Sequence, residues 1–421
     1  MRQLDSPCIL ALGSFHPRPI NVSSLSVMAK SQKVETRLIH ADHEFADDHI
    51  GPAISVSTTF RYPEIGRGEW RHVATGWDNL RPNRHFYSRE TVATSTRVET
   101  ILGDLHGGYA LIYSSGSAAA FSVLVHLGPK RIALRDGYSG FHHIVGDYRR
   151  INPNLKVIDL DDELCSGDLI WLETPLNPTG EVRDIVHYVR KAHAAGAKIA
   201  IDATLAPPPL QNPFKCGADV IVHSASKYIG GHSDVLAGVA VVRSEEAWRD
   251  LWNIRLNLGN NAGSLESWLL LRSLRTFSLR ISKQSKNATQ LATWLDQISK
   301  TPRGKTFDGT PGGTIRRVWH GSLQSKKKFD PTVQHEGGFS ATFGILMENA
   351  FYAQRLPESF KLITHATSLG GVETLIEHRI HSDEKDDARL LRISVGIEDI
   401  EDLKADFRLG LNAIVNEKAK L

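Results

Sequence analysis

Cysteine and methionine are scarce, three of each in 421 residues. Cys8, Cys165 and Cys216 are scattered and form no CxxC pair, which excludes a disulfide framework and a cysteine zinc site. A reducing compartment is the resulting expectation, and the cytoplasm is the simplest one. No apolar run approaches the roughly 18 residues that a spanning helix needs, so no membrane partner is expected. Charge of one sign is also missing. Lys and Arg number 50 against 47 Asp and Glu, a formal net charge of +3, which removes nucleic acid and anionic membrane as main partners. The run Lys326-Lys327-Lys328 reads as a solvated loop. His142 and His143 have no carboxylate or cysteine at ligand spacing, so no metal is expected. Residues 1–33 hold Arg2, Arg18, Lys30 and Lys33 with a single acid, Asp5. This composition is that of a flexible N-terminal extension, with a mitochondrial transit peptide as the alternative.

A hydrophobic content of 41% is enough for a large core and for two domains. Up to residue 242, short β-branched and apolar runs alternate with helical patterns, which predicts an α/β fold with a mainly parallel sheet. Strands are expected over 109–113, 131–134, 168–172, 198–202, 218–223 and 239–242. Helices are expected from 114 to about 127 and over 182–195, 265–279 and 287–298. A Ser-, Lys- and Gly-rich connection over 301–338 leads to a strand over 339–347.

The organising stretch follows the strand at 218–223 and runs Ser224-Ala225-Ser226-Lys227-Tyr228-Ile229-Gly230-Gly231-His232-Ser233-Asp234. Lys227 lies among hydroxyls and glycines at a strand's carboxyl end, away from any amphipathic face. An amine held there, beside hydroxyls and backbone N–H groups that can cradle a phosphate, suits covalent attachment of pyridoxal phosphate. Ser114-Ser115-Gly116-Ser117 opens an alanine-rich helix whose free N–H groups and dipole favour an anion, making Gly116 and Ser117 phosphate candidates. Taken alone, such a Ser-Gly-Ser is an N-cap. Asp202 ends the apolar run Lys198-Ile199-Ala200-Ile201, 25 residues before Lys227.

This stretch resembles the cofactor-lysine signature of the pyridoxal-phosphate enzymes of cysteine and methionine metabolism, the trans-sulfuration family. The resemblance runs from about Thr36 to the C-terminus and is weaker between about Gly304 and Glu336. Pro207-Pro208-Pro209-Leu210 is similar to a fungal-type branch. The resemblance implies an aspartate-aminotransferase-like large domain (fold type I) and a smaller α+β C-terminal domain. The expected layout is an extension over 1–35, an N-terminal arm over 36–85, a cofactor-binding domain over 86–300 and a small domain over 301–421. It also implies a homotetramer with shared active sites.

The site residues follow from the same resemblance. Lys227 binds the cofactor and moves protons, Asp202 keeps the pyridine nitrogen protonated, and Tyr138 stacks on the ring. Ser224, Ser226, Gly116 and Ser117 hold the phosphate, joined by Tyr87 and Arg89 of Phe86-Tyr87-Ser88-Arg89 from a neighbouring subunit. Asn177, in Glu173-Thr174-Pro175-Leu176-Asn177-Pro178, sits near the phenolic oxygen and the substrate carboxylate. Arg392, in Leu391-Arg392-Ile393-Ser394, grips the α-carboxylate, and Ser368 of Ser368-Leu369-Gly370-Gly371 lies on the substrate side. Ser139 and Phe141 depart from the family's common Tyr-Gly-Gly-Thr. Thr367 stands where many γ-acting members carry glutamate, and Leu369 where bacterial-type β-lyases carry tryptophan. Small amino-acid substrates are implied, with cystathionine γ-synthase-like replacement on an O-acyl-homoserine as the expected reaction. The alternatives are cystathionine β- or γ-lyase elimination, substitution by a non-sulfur nucleophile, and a catalytically idle cofactor-binding protein.

Overall fold

The computed structural model describes residues 32–45, 49–61 and 85–420. Residues 1–31 of the expected extension over 1–35, and residues 46–48 and 62–84 of the expected arm over 36–85, therefore lie outside the described residues. All elements below belong to the unit that begins at Val34.

Seven strands build the first sheet: β1 (Tyr109–Tyr113), β2 (Arg131–Ala133), β3 (Lys156–Ile158), β4 (Leu169–Glu173), β5 (Lys198–Asp202), β6 (Val220–Ser224) and β7 (Gly238–Val242). Their order is β1-β7-β6-β5-β4-β2-β3, and all pairings are parallel except those of β7 with its two neighbours. The expected mainly parallel sheet is present. The inner strands β4 and β7 are near-continuous buried runs because both faces are covered, while the edge strand β3 is largely exposed. On β4, Ile170 and Leu172 enter one buried cluster while Leu169 and Trp171 enter another on the opposite face. The carboxyl ends of β1, β4, β5 and β6 point the same way, which is where open α/β sheets gather their sites.

A short hairpin, β8 (Thr306–Phe307) and β9 (Thr310–Pro311), precedes a second sheet. That sheet contains β10 (Ile315–Val318), β11 (Thr342–Met347), β12 (Thr364–His365), β13 (Leu375–His378) and β14 (Leu390–Ser394), ordered β10-β11-β14-β13-β12. Its pairings are antiparallel except β12 with β13.

The helical expectation over 265–298 needs correction. One helix spans Ser264–Leu274 and the next is continuous over Phe277–Ser299. The polar run around 283–287 looks like a break in the apolar stripe, yet Gln284, Ser285 and Asn287 are buried. Gln284 donates to the Gly371 carbonyl at 2.6 Å and Asn287 to the Glu398 carbonyl at 2.8 Å. These residues face inward because loop carbonyls of the second sheet need donors. The actual break falls at Arg275, whose guanidinium pairs with fully buried Asp42 (2.7 Å). Arg97 completes that triad at 2.6 Å, with Arg275 partly buried, and so pins the helix Val34–His40 to the body of the protein. No described helix is long and apolar enough to cross a membrane.

Candidate active site

The ends of β4, β5 and β6 converge with the loop before β13 on a cavity of about 480 Å³. Ten of the twelve residues singled out from the sequence line it: Gly116, Ser117, Tyr138, Asn177, Asp202, Ser224, Ser226, Lys227, Ser368 and Arg392. Tyr87 and Arg89 do not. They lie on an exposed segment where Ser88 N–H donates to the Thr58 carbonyl, and Arg89 Nη1 donates to the Leu256 carbonyl at 3.0 Å.

β6 delivers Lys227 in a tight turn, with Lys227 N–H donating to the Ser224 carbonyl at 3.2 Å. The turn is gripped from behind by buried Arg280, which donates to the carbonyls of Tyr228 (2.8 Å), Ile229 (3.2 Å) and Ser273 (3.0 Å). Gly231 has φ +67°, and a Cβ there would fall 1.8 Å from Arg280 Nη1. Only glycine allows that approach. The Lys227 Nζ donates to Ser368 Oγ at 2.8 Å. Ser368 itself holds φ +75°, a left-handed conformation that a non-glycine residue keeps only when its surroundings enforce it. Burial pushes the Lys227 amine below the ordinary lysine range, and the Arg392 guanidinium adds repulsion in the same direction.

The anion end of the cavity is the start of the helix Gly116–Leu127, capped by Ser115 Oγ, which accepts Ala118 N–H at 3.0 Å. A Cβ on Gly116 would stand 3.0 Å from Ser224 Cβ, so the helix start and the lysine turn are in close approach. Ser226 Oγ, by contrast, is engaged with the main chain, accepting from Ala237 N–H at 2.9 Å and donating to the Ala237 carbonyl.

Asp202 ends β5 directly opposite Glu173 at the end of β4. Its Oδ1 accepts from Thr204 N–H (3.0 Å) and Thr204 Oγ1 (2.6 Å), and the same hydroxyl oxygen accepts Ser224 N–H at 2.8 Å. Burial raises the Asp202 carboxyl despite those bonds. Glu173 is pushed up to about 8 by burial first and by the Asp202 charge second. Two carboxylates at neighbouring strand ends, shielded from water, cannot both ionise freely.

Arg392 is 6% exposed, and both of its Nη atoms have partners. Its Nη1 donates to Asn177 Oδ1 at 2.9 Å, and its Nη2 donates to the Ser368 carbonyl at 2.9 Å and pairs with Glu377 Oε2 at 2.5 Å. Glu377 also accepts from Arg379 Nη1 at 3.1 Å and from Ser382 Oγ. Tyr138 is 50% exposed and N-caps the helix Ser139–Ile151, and Phe141 of that helix stacks on Trp171 with ring centroids 3.8 Å apart.

Sequence reasoning missed Thr204, Glu377, Arg379 and Ser382, and gave Glu173 no role. Glu173 could have been found by the signal that marked Asp202, a carboxylate ending an apolar strand. Glu377 to Asp387 reads as a charged surface run, and only the fold shows that Glu377 and Arg379 are buried.

A family model described as Cys/Met metabolism PLP-dependent enzyme matches residues 35–412. The chain is 31% identical over 422 residues to a cystathionine gamma-lyase of Saccharomyces cerevisiae, covering 92% of this chain and 100% of that protein. It is 30% identical over 406 residues to the cystathionine gamma-synthase/O-acetylhomoserine (thiol)-lyase of Bacillus subtilis, covering 90% and 97%. Among solved structures, metB from Corynebacterium glutamicum superposes with a TM-score of 0.77 at 29% identity, covering 92% of this chain and 99% of that one.

Proposed function

Because this chain belongs to the Cys/Met metabolism PLP-dependent enzymes, we propose that it carries out cystathionine γ-synthase-like replacement at the γ carbon of an O-acyl-homoserine. The cofactor is pyridoxal 5′-phosphate and the substrates are small amino acids. The donor set suits that cofactor. The cavity has the volume of a small-molecule site, and its lining includes a helix N-terminus, a carboxylate at a strand end and an amine of lowered basicity. When bound, the cofactor supplies an electron sink for charge developing at the substrate α carbon.

The remaining roles fall to the chain's own residues. Lys227 Nζ would carry the cofactor and then move the substrate's α proton, for which an amine below its ordinary range is suited near neutrality. Asp202, oriented by Thr204, would hold the ring nitrogen protonated. The Gly116 and Ser117 N–H groups with the Ser224 hydroxyl would bind phosphate, with Ser226 shaping the turn. Tyr138 would cover the ring. Arg392, already aligned by Asn177 and Glu377, would take the α-carboxylate as a two-point contact, with Ser368 beside it.

Tyr87 and Arg89, off their own cavity and partly exposed, would complete the phosphate site of a neighbouring copy in a homotetramer, with the large part over 86–300 and the small over 301–421. A cytoplasmic location fits the three cysteines.

The observation that carries the reading is the Lys227 amine 2.8 Å from Ser368 Oγ, in one cavity with Asp202 and Arg392. Product analysis tests it. O-acetylhomoserine with cysteine should yield cystathionine, and cystathionine alone should yield little keto acid or ammonia. The reverse outcome would assign lyase chemistry, the activity named for the yeast relative.

A further inference from the structure

We propose that Glu173 is a positioning residue: one carboxylate that ties the loop carrying Tyr138 to the turn carrying Asn177, and through Asn177 sets Arg392. The inference rests on the reading of this cavity as a pyridoxal phosphate site.

Each oxygen of Glu173 takes one main-chain donor. Oε2 accepts Tyr138 N–H at 2.7 Å and Oε1 accepts Asn177 N–H at 2.6 Å. Main-chain donors cannot rotate away as side chains do, so the carboxylate fixes where both segments lie. Asn177 Oδ1 then receives Arg392 Nη1 at 2.9 Å, which carries the constraint across to the second sheet. The loop is shaped for this approach. Gly137 has φ +89°, and a Cβ there would stand 2.6 Å from Glu173 Oε2. On the far side of the same loop, Arg183 donates to the Arg135 carbonyl at 2.9 Å and to Asp136 Oδ2 at 3.2 Å.

The choice of a carboxylate needs explaining, because Glu173 is 7% exposed and sits opposite Asp202. A glutamine of the same shape would avoid a buried like-charge pair. It would also offer a single acceptor oxygen, and its NH₂ would face a main-chain N–H, donor against donor. A carboxyl, ionised or protonated, keeps acceptor capacity on both oxygens, and that is what this junction requires. With both oxygens so engaged, Glu173 acts through Tyr138 and Asn177 and does not touch the reacting atoms.

The test uses the full chain with Glu173→Gln, as cofactor-free protein and after reloading. One main-chain donor is then left unpaired. Affinity for added pyridoxal phosphate, read by visible absorbance, should therefore fall about tenfold or more. KM for the amino-acid substrate should rise by a similar factor and kcat should change less. Thermal unfolding of the cofactor-free variant, read above pH 8 where Glu173 of the parent is ionised, should fall little, since the lost acceptor is offset by removal of a buried charge beside Asp202. Arg183→Met relaxes the same loop from its other side and should weaken cofactor affinity by about threefold; it decides the matter if the first variant does not fold. Cofactor affinity and KM unchanged in both variants would overturn the proposal while leaving the cavity's function intact. A parent chain that takes up no pyridoxal phosphate would overturn the functional reading and the proposal with it.

Discussion

An arginine fork and a lysine point charge are not equivalent where a planar carboxylate must be held at two points. Arg392→Lys should therefore raise substrate KM by about ten- to a hundredfold with a smaller change in kcat, measured by steady-state kinetics. Glu173 gives a pH prediction of definite sign. Its carboxyl is raised to about 8 in the fold from an ordinary 4.5, so between those values the folded cofactor-free protein holds a proton that the unfolded chain has lost. This contribution is present at low pH and lost as pH rises toward 8. Buried His106, His320 and His335 are pushed down to about 4 by burial, and they slope the opposite way only up to about pH 6.5. In the window from pH 6.5 to 8, Glu173 should make the stability of the cofactor-free chain, read by denaturant unfolding, fall with rising pH, against the opposite pull of the lowered Lys227 amine. Glu173→Gln should flatten that slope, and an unchanged slope would contradict the assignment. Lys227, Asp202 and Arg392 were legible as residues because each sits in an ordered motif at a strand end or on a strand. Glu377 and Arg379 were not, since a charged run gives no sign of burial until β13 is known to lie between β12 and β14.

At the scale of elements, β1 and β5 match the sequence reading residue for residue, because an apolar run bounded by turn residues has one stable use in a covered sheet. The helix Phe277–Ser299 was misread for the complementary reason, as its inward face carries amides that serve loop carbonyls. Periodicity of apolar residues cannot report a polar interior. The same helix supplies Arg280, and its hold on the lysine turn is open to test. Arg280→Met leaves three main-chain carbonyls without their donor, and should cost about 3 kcal/mol or more in urea unfolding. It should also weaken cofactor retention, because the turn that presents Lys227 is loosened. A variant as stable as the parent would show that these carbonyls find other partners.

For the whole molecule, the position of Tyr87 and Arg89 off their own cavity predicts shared sites. Arg89→Ala and Lys227→Ala chains should each be nearly inactive alone. Mixed under conditions that exchange subunits, they should regain about a quarter of parental activity, since pairing one of each leaves one intact site and one doubly damaged site. No recovery, with subunit exchange shown by mass, would confine each site to a single chain. The expectation of shared sites comes only from resemblance, because a lone chain's sequence carries no physical sign of which surface its partner meets.

Covalent attachment of the cofactor to one amine underlies every role assigned to this cavity. Borohydride reduction of the yellow protein, followed by digestion and peptide mass analysis, should find the reduced pyridoxyl group on Lys227. Label on any other lysine, or on none, would contradict it.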